Sequence, residues 1–154
     1  MELCYNASMA SERFLIRSAV YLILLRNDKI LLARRFNTGW MDGSYSLIAG
    51  HLDGNESVSK AMIREAKEEA GITINKKDLL PATVIHRCYP DQEYIDFFFV
   101  AKKWTGIPAI KESDKCDDMS WFSLNELPEN LLSYIKEALD NYQNKTAFFE
   151  SGWE

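Results

Sequence analysis

GHLDGNESVSKAMIREAKEEAGI, residues Gly50 to Ile72, carries the strongest pattern in this chain. Asp53-Gly54-Asn55-Glu56 is a turn. Ser57 is suited to cap a helix N-terminus and Gly71 to stop it, so the spacing predicts a helix between them. A helix turns ~100° per residue, so Glu65, Glu68 and Glu69 share one flank. Drawn as a wheel from Val58, the helix has Ala61, Met62, Ala66 and Ala70 on one arc. Glu65 and Glu69 fall inside that apolar arc and Glu68 lies beside it, while Lys60, Arg64 and Lys67 lie opposite. Like charges at this spacing repel, and a carboxylate turned towards a core needs a partner. Arg64 can reach Glu68 one turn on, but it cannot neutralise three carboxylates. The cluster therefore points to a divalent cation with hard oxygen ligands, such as Mg²⁺, shared with substrate phosphates.

Working outward, Phe14–Leu25 (FLIRSAVYLILL) reads as a strand, and Lys29–Arg35 as its hairpin return. Asn37–Gly43 is a loop of turn formers, and Ser46–Ala49 a short strand leading to Gly50. Beyond the helix, Leu80–Cys88 and Glu93–Trp104 read as strands around Tyr89–Gln92. Residues 105–118 form a long polar loop, of a length that is often functional. Met119–Phe122 is a short strand, and Leu124–Gln143 reads as a terminal helix with Leu131, Leu132, Ile135 and Leu139 on one face. Strands, a helix, more strands and a helix make a mixed sheet covered by helices, within one domain spanning 1–154.

The chain is 47% hydrophobic and 27% charged, with a net charge of −5, which suits a core-forming protein and argues against non-specific binding to a nucleic-acid polymer. Cys4, Cys88 and Cys116 are too few and too widely spaced for a disulfide framework or a zinc site. No secretory pattern and no membrane-spanning run is evident, so a cytoplasmic location without membrane contact is expected.

Read linearly, Gly50, Glu56, Arg64-Glu65, Glu68-Glu69 and Gly71-Ile72 fill every fixed position of the Nudix box, and the segment is identified as resembling the Nudix (MutT-like) hydrolases. The resemblance implies an α/β/α sandwich with a mixed sheet. It also implies Mg²⁺- or Mn²⁺-dependent attack of water on the diphosphate linkage of a nucleoside diphosphate derivative, such as a nucleoside triphosphate, an oxidised nucleotide or a nucleotide-sugar. Carried over by position, Glu65, Glu68 and Glu69 are the metal carboxylates and the Gly50 carbonyl is a further ligand. Arg64 and Glu56 orient them. The base stays open, with Glu69 and Glu65 grouped as catalytic. The sequence departs from the family pattern at Ile48-Ala49, Asp53 and Asn55, none of which removes a metal carboxylate.

Outside the box, Glu112 is the first choice for an acidic ligand from the loop, with Asp114, Asp117 and Asp118 competing. Arg34 and Arg35 are candidates for phosphate contact, with plain edge-strand charge as the alternative. Asp117 is a candidate for reading a base. Trp121, Trp40 and Phe36 stack on a base or pack as core, and His51 and His86 are taken as structural. The expected partner is a small nucleotide-type substrate, and many members of the family are homodimers. The competing readings are a non-catalytic, ligand-sensing Nudix-like domain and an isoprenoid diphosphate isomerase, for which neither Cys88 nor Cys116 has a clear context.

Overall fold

The structure, a computed structural model, describes residues 13–153. Strand β1 (Arg17–Ile23) is an interior strand of a five-stranded sheet. It is buried on both faces, which explains its unbroken apolar run. It pairs antiparallel with the edge strand β5 (Ile48–His51) and parallel with β7 (Gln92–Ala101). Next come β6 (Leu79–Tyr89), antiparallel to β7, and β9 (Phe148–Ser151), parallel to β6. A second, antiparallel sheet is built on β3 (Lys29–Arg35), which pairs with β2 (Leu25–Arg26), β4 (Tyr45–Ser46) and β8 (Cys116–Ser123).

Helix α1 (Val58–Ala70) packs Ala61, Met62, Ala66 and Ala70 against Val20, Leu22 and Ile48. Helix α2 (Ser133–Gln143) packs Ile135, Ala138 and Leu139 on the opposite side, with Tyr21, Ile23 and Phe98. Alternate residues of β1 thus feed two cores, which makes the α/β/α layering. Each fully buried large side chain, such as Leu22 or Phe98, contributes about 1.5–3 kcal/mol.

Both expected caps of α1 are present. Ser57 accepts from the Lys60 amide, and Gly71 closes the helix with φ +70°. The turn before it bends through Gly54 (φ +79°) and Asn55 (φ +54°), so asparagine takes a left-handed position.

The elements depart from expectation in several places. The expected hairpin of Phe14–Leu25 with Lys29–Arg35 is divided between the sheets, since β1 lies in the five-stranded one and only β2 pairs with β3. Strand β8 begins at Cys116, inside the expected 105–118 loop. Strand β1 begins at Arg17, after three residues outside any strand. Strand β7 stops at Ala101 rather than Trp104, where the Lys102 amide turns to the Asp78 carbonyl. The terminal helix starts at Ser133, not Leu124, because the backbone before it is spent on β4: Tyr45 donates to the Asn130 carbonyl and Leu132 to the Tyr45 carbonyl. Strand β9 is an addition, satisfying the outer edge of β6. Cys88 and Cys116 are free thiols, and Cys4 lies outside the described residues. Among the described residues no helix is long and apolar enough to cross a membrane.

Candidate active site

The β1–β5 register sets Tyr21 opposite Ala49 and Val20 opposite Gly50, at the edge where α1 crosses the sheet. Glu69, in the last turn of α1, accepts a hydrogen bond on Oε2 from the Ala49 amide at 2.9 Å. Glu65, one turn earlier, is buried directly over Gly50. A Cβ at residue 50 would displace the Glu65 carboxyl, so glycine here leaves that carboxyl its place over the strand and is not needed for an unusual φ.

Arg64 organises the remaining carboxylates. Its guanidinium holds Glu56 through two bonds (2.7 and 3.2 Å), Glu65 at 2.6 Å, Glu68 at 3.0 Å and the His51 carbonyl at 3.1 Å. Glu56 is tied back to the turn by the Asp53 amide at 3.0 Å. This bonding holds the Glu56 carboxyl below the usual range.

Glu112 reaches the site through the needs of the helix end. The last carbonyls of α1 have no partner within the helix. Ala109 donates to the Ala70 carbonyl and Lys111 to the Glu69 carbonyl, and this lays the 105–115 loop along the helix terminus. Glu112 follows at once, with Lys115 Nζ 3.4 Å from its carboxylate.

Glu65, Glu68, Glu69, Arg64, Glu112 and Lys115 line a cleft of about 530 Å³, together with Arg34, Arg35, Cys116, Met119, Tyr21 and Tyr134. Burial pushes the Glu69 carboxyl up to about 8, and Glu65 and Glu112 nearby add to the shift. Glu65 is raised too, by burial first, against the pull of Arg64. Among the described residues no salt bridge reaches Glu69, and no three His, Cys, Asp or Glu side chains stand arranged to hold a metal ion. The donor set nonetheless fits a divalent cation. It is all oxygen, short of positive charge at Glu69, and shaped around a glycine.

The sequence candidates divide. Glu65, Glu68, Glu69, Gly50, Arg64, Glu112, Arg34 and Arg35 line one cleft, and Glu56 supports it through Arg64. Asp117 lies outside the lining, held by Arg34 in a two-bond pair at 2.8 and 3.1 Å. Trp121 is also outside it: the ring packs on the α1 core with the Arg26 guanidinium 4.8 Å from its centre. Asp118 is engaged by the Tyr45 hydroxyl at 2.6 Å. Lys115, Tyr21, Tyr134 and the Ala49 amide were not legible as site groups. Tyr21 and Tyr134 sit in segments whose sequence reads only as core, and no pattern marks a single backbone N–H.

The carboxylates of α1 thus look into a cleft lined by residues of both sheets. The family described as "NUDIX domain" matches residues 15–142. The chain belongs to the NUDIX family. It is 30% identical over 113 residues to "NAD-capped RNA hydrolase NudC" of Pseudomonas fluorescens, covering 73% of this chain and 38% of that protein. The chain thus spans well under half the length of this curated relative. A MutT NUDIX hydrolase from Burkholderia pseudomallei superposes with a TM-score of 0.76 at 26% identity, covering 82% of this chain and 98% of that one. A bifunctional NMN adenylyltransferase/ADP ribose pyrophosphatase from Francisella tularensis shares the fold with a TM-score of 0.67 at 22% identity, covering 88% of this chain and 43% of that one.

Proposed function

We propose that this domain hydrolyses the diphosphate linkage of a nucleoside diphosphate derivative, using Mg²⁺ or Mn²⁺ at Glu65, Glu68, Glu69 and the Gly50 carbonyl, with Glu112 closing the site from the loop. The observation that carries this reading is Glu69: a half-buried carboxylate, fixed on one oxygen by the Ala49 amide, beside three further carboxylates and without a salt bridge among the described residues. A cation bound there would lower the pKa of a water molecule and offset charge on the phosphate oxygens.

The rest is work for the protein's own groups. The Ala49 amide occupies Glu69 Oε2 and leaves Oε1 to accept a proton from the attacking water; Glu65 is the alternative base. Arg64, braced by Glu56, keeps Glu65 and Glu68 turned to the cleft. Arg34, Arg35 and Lys115 supply positive charge along its walls for the phosphates. Tyr21 and Tyr134 complete the lining. The relatives' names, which refer to NAD-capped RNA and ADP ribose, support a nucleotide-type substrate.

The test is a panel of nucleoside triphosphates, oxidised nucleotides, nucleotide-sugars, ADP ribose, NAD and NAD-capped RNA. Each is incubated with Mg²⁺ or Mn²⁺ in ¹⁸O-water, and the products are read by mass spectrometry. Release of a phosphate-terminated product carrying the label is expected for at least one compound. No labelled product across the panel with either ion in excess overturns the reading.

A further inference from the structure

A net charge of −5 tells against a polyanionic partner only where charge is spread evenly, and in this chain it is not. Residues 26–29, 76–78 and 102–104 carry six cations against two carboxylates, in a chain whose totals are 18 and 23. The fold brings the three segments together. Strand register sets Arg26 opposite Lys29 in the β2–β3 hairpin. The Arg26 guanidinium lies 5.5 Å from the centre of the Trp104 ring, which joins the hairpin to residues 102–104. The Lys102 amide donates to the Asp78 carbonyl at 2.8 Å, which joins those residues to the single 3-10 turn Lys76–Asp78. Arg26, Lys29, Lys76, Lys77, Lys102 and Lys103 are all exposed, and among the described residues none of them forms a salt bridge.

This basic surface stands apart from the acidic cleft. Lys29 and the cleft residue Arg35 are opposite ends of β3, and Ser123, which pairs with Lys29, is at the far end of β8 from Cys116. A polyanion held here does not meet Glu65, Glu68 and Glu69. Arg26 is its fixed point. The guanidinium also lies 4.8 Å from the centre of the Trp121 ring, and both indoles pack on the α1 core. The hairpin turn below it has left-handed φ at Asn27 (+48°) and Asp28 (+58°), and its tip is tied to the end of β8 by the Leu124 amide on the Asp28 carbonyl. An arginine steadied by aromatic rings and given no carboxylate keeps its fork of N–H donors for a phosphate.

We propose that this basic end of the molecule binds the phosphate backbone of a single-stranded nucleic acid. Arg26 takes one phosphate on its fork, and the lysines neutralise its neighbours along the strand. The proposal does not rest on the hydrolase reading. A phosphodiester strand repeats its charge at every residue, which suits four clustered lysines beside one arginine. An anionic membrane matches the charge but rewards apolar side chains that insert. Here the indoles are packed on the core, and Ile107 is the only largely exposed apolar side chain of the adjoining 105–115 loop.

The experiment follows the fluorescence anisotropy of a labelled twelve-residue oligouridylate titrated with the full chain. EDTA is present, so that no metal-dependent cleavage intervenes, and KCl is varied from about 50 to 300 mM. A Kd at or below about 10 µM is expected at the lowest salt, with a log–log salt slope of about −3, as for four phosphates neutralised on a single strand. Arg26→Met keeps the indoles covered but removes the charge, and should weaken binding about fivefold. Lys102→Ala/Lys103→Ala should weaken it about tenfold and flatten the slope by about 1.4. Lys136→Ala, an exposed cation of α2 on the opposite side of the sandwich, should change nothing. Thermal melts confirm that the variants fold. No binding at the lowest salt with protein at about tenfold the expected Kd overturns the proposal, as does affinity unchanged in both Arg26→Met and Lys102→Ala/Lys103→Ala. Polyglutamate of equal length, or phosphatidylserine vesicles, bound as tightly as the oligonucleotide also overturn it, and give the surface to an acidic peptide or a membrane instead.

Discussion

At the residue scale, Glu69 and Gly50 are where the proposed role of the acidic cleft can be tested. Glu69→Gln keeps the shape and the Ala49 hydrogen bond but removes the charge and the basic oxygen. Turnover should fall by about two orders of magnitude or more, with far-UV circular dichroism unchanged. The rise in melting temperature produced by Mg²⁺ should shrink with it. Near-wild-type rates in saturating Mg²⁺ would show that Glu69 is not the group. Gly50→Ala tests the cradle, because the added methyl must displace the Glu65 carboxyl. Weaker Mg²⁺ binding by calorimetry and at least about a tenfold loss of kcat are expected, a scale set by the cost of small misplacements at a catalytic centre. An unchanged Mg²⁺ affinity would mean that Glu65 is not held by Gly50. At this scale the helix wheel was informative. Glu65 is buried, Glu69 half-buried and Glu68 exposed, so the two glutamates inside the apolar arc are the two covered ones, although the wheel sets Glu69 deeper than Glu65. It was silent on Trp121 and Asp117, because a strand's period says which residues share a face but not what covers that face.

At the scale of the element, α1 was legible almost to the residue, since its caps and apolar stripe are local features. Gly71 is the clearest case, with φ +70° and amide bonds back to the carbonyls of Ala66 and Lys67. Gly71→Ala should cost about 1 kcal/mol in urea unfolding, the penalty for a side chain in the left-handed region. Lys111 must also shift its flexible end. A variant as stable as wild type would show that the helix ends differently. Helix α2 was legible only in its second half. Pro128, with no amide to donate, already argues against a helix running through it from Leu124, but the leucine pattern gave no notice that Asn130 and Leu132 would be recruited as backbone partners of Tyr45. Strand β9 was missed because four residues of Phe-Phe-Glu-Ser have no period long enough to read, and only the free edge of β6 gives them a place.

Across the whole molecule, the buried Arg87–Asp96 pair ties β6 to β7. Asp96 is fully buried and its Oδ1 has no hydrogen-bond partner among the described residues. Burial raises its carboxyl above the ordinary value, and Arg87 opposes the shift. Arg87→Met leaves that carboxylate alone and should destabilise the fold by about 3–5 kcal/mol at pH 7. The sign follows from linkage. A carboxyl whose folded pKa is raised binds protons more readily when folded, so its charge destabilises the fold above the unfolded pKa, and the penalty fades as pH falls. The loss in Arg87→Met should therefore be smaller at pH 5 than at pH 7. An equal loss at both would show that Asp96 is already neutral.

The sequence by itself determined the layered class, the helix with both its caps, and the glutamates that face inward, because each is written in spacing along one stretch of chain. The tertiary structure alone decided that Glu112 arrives beside Glu69, that Ala49 offers it an amide, and that Arg26 meets the rings of Trp104 and Trp121. Those meetings depend on strand register and on which backbone groups remain unpaired at an element's end. Such facts come into being only when distant segments pack.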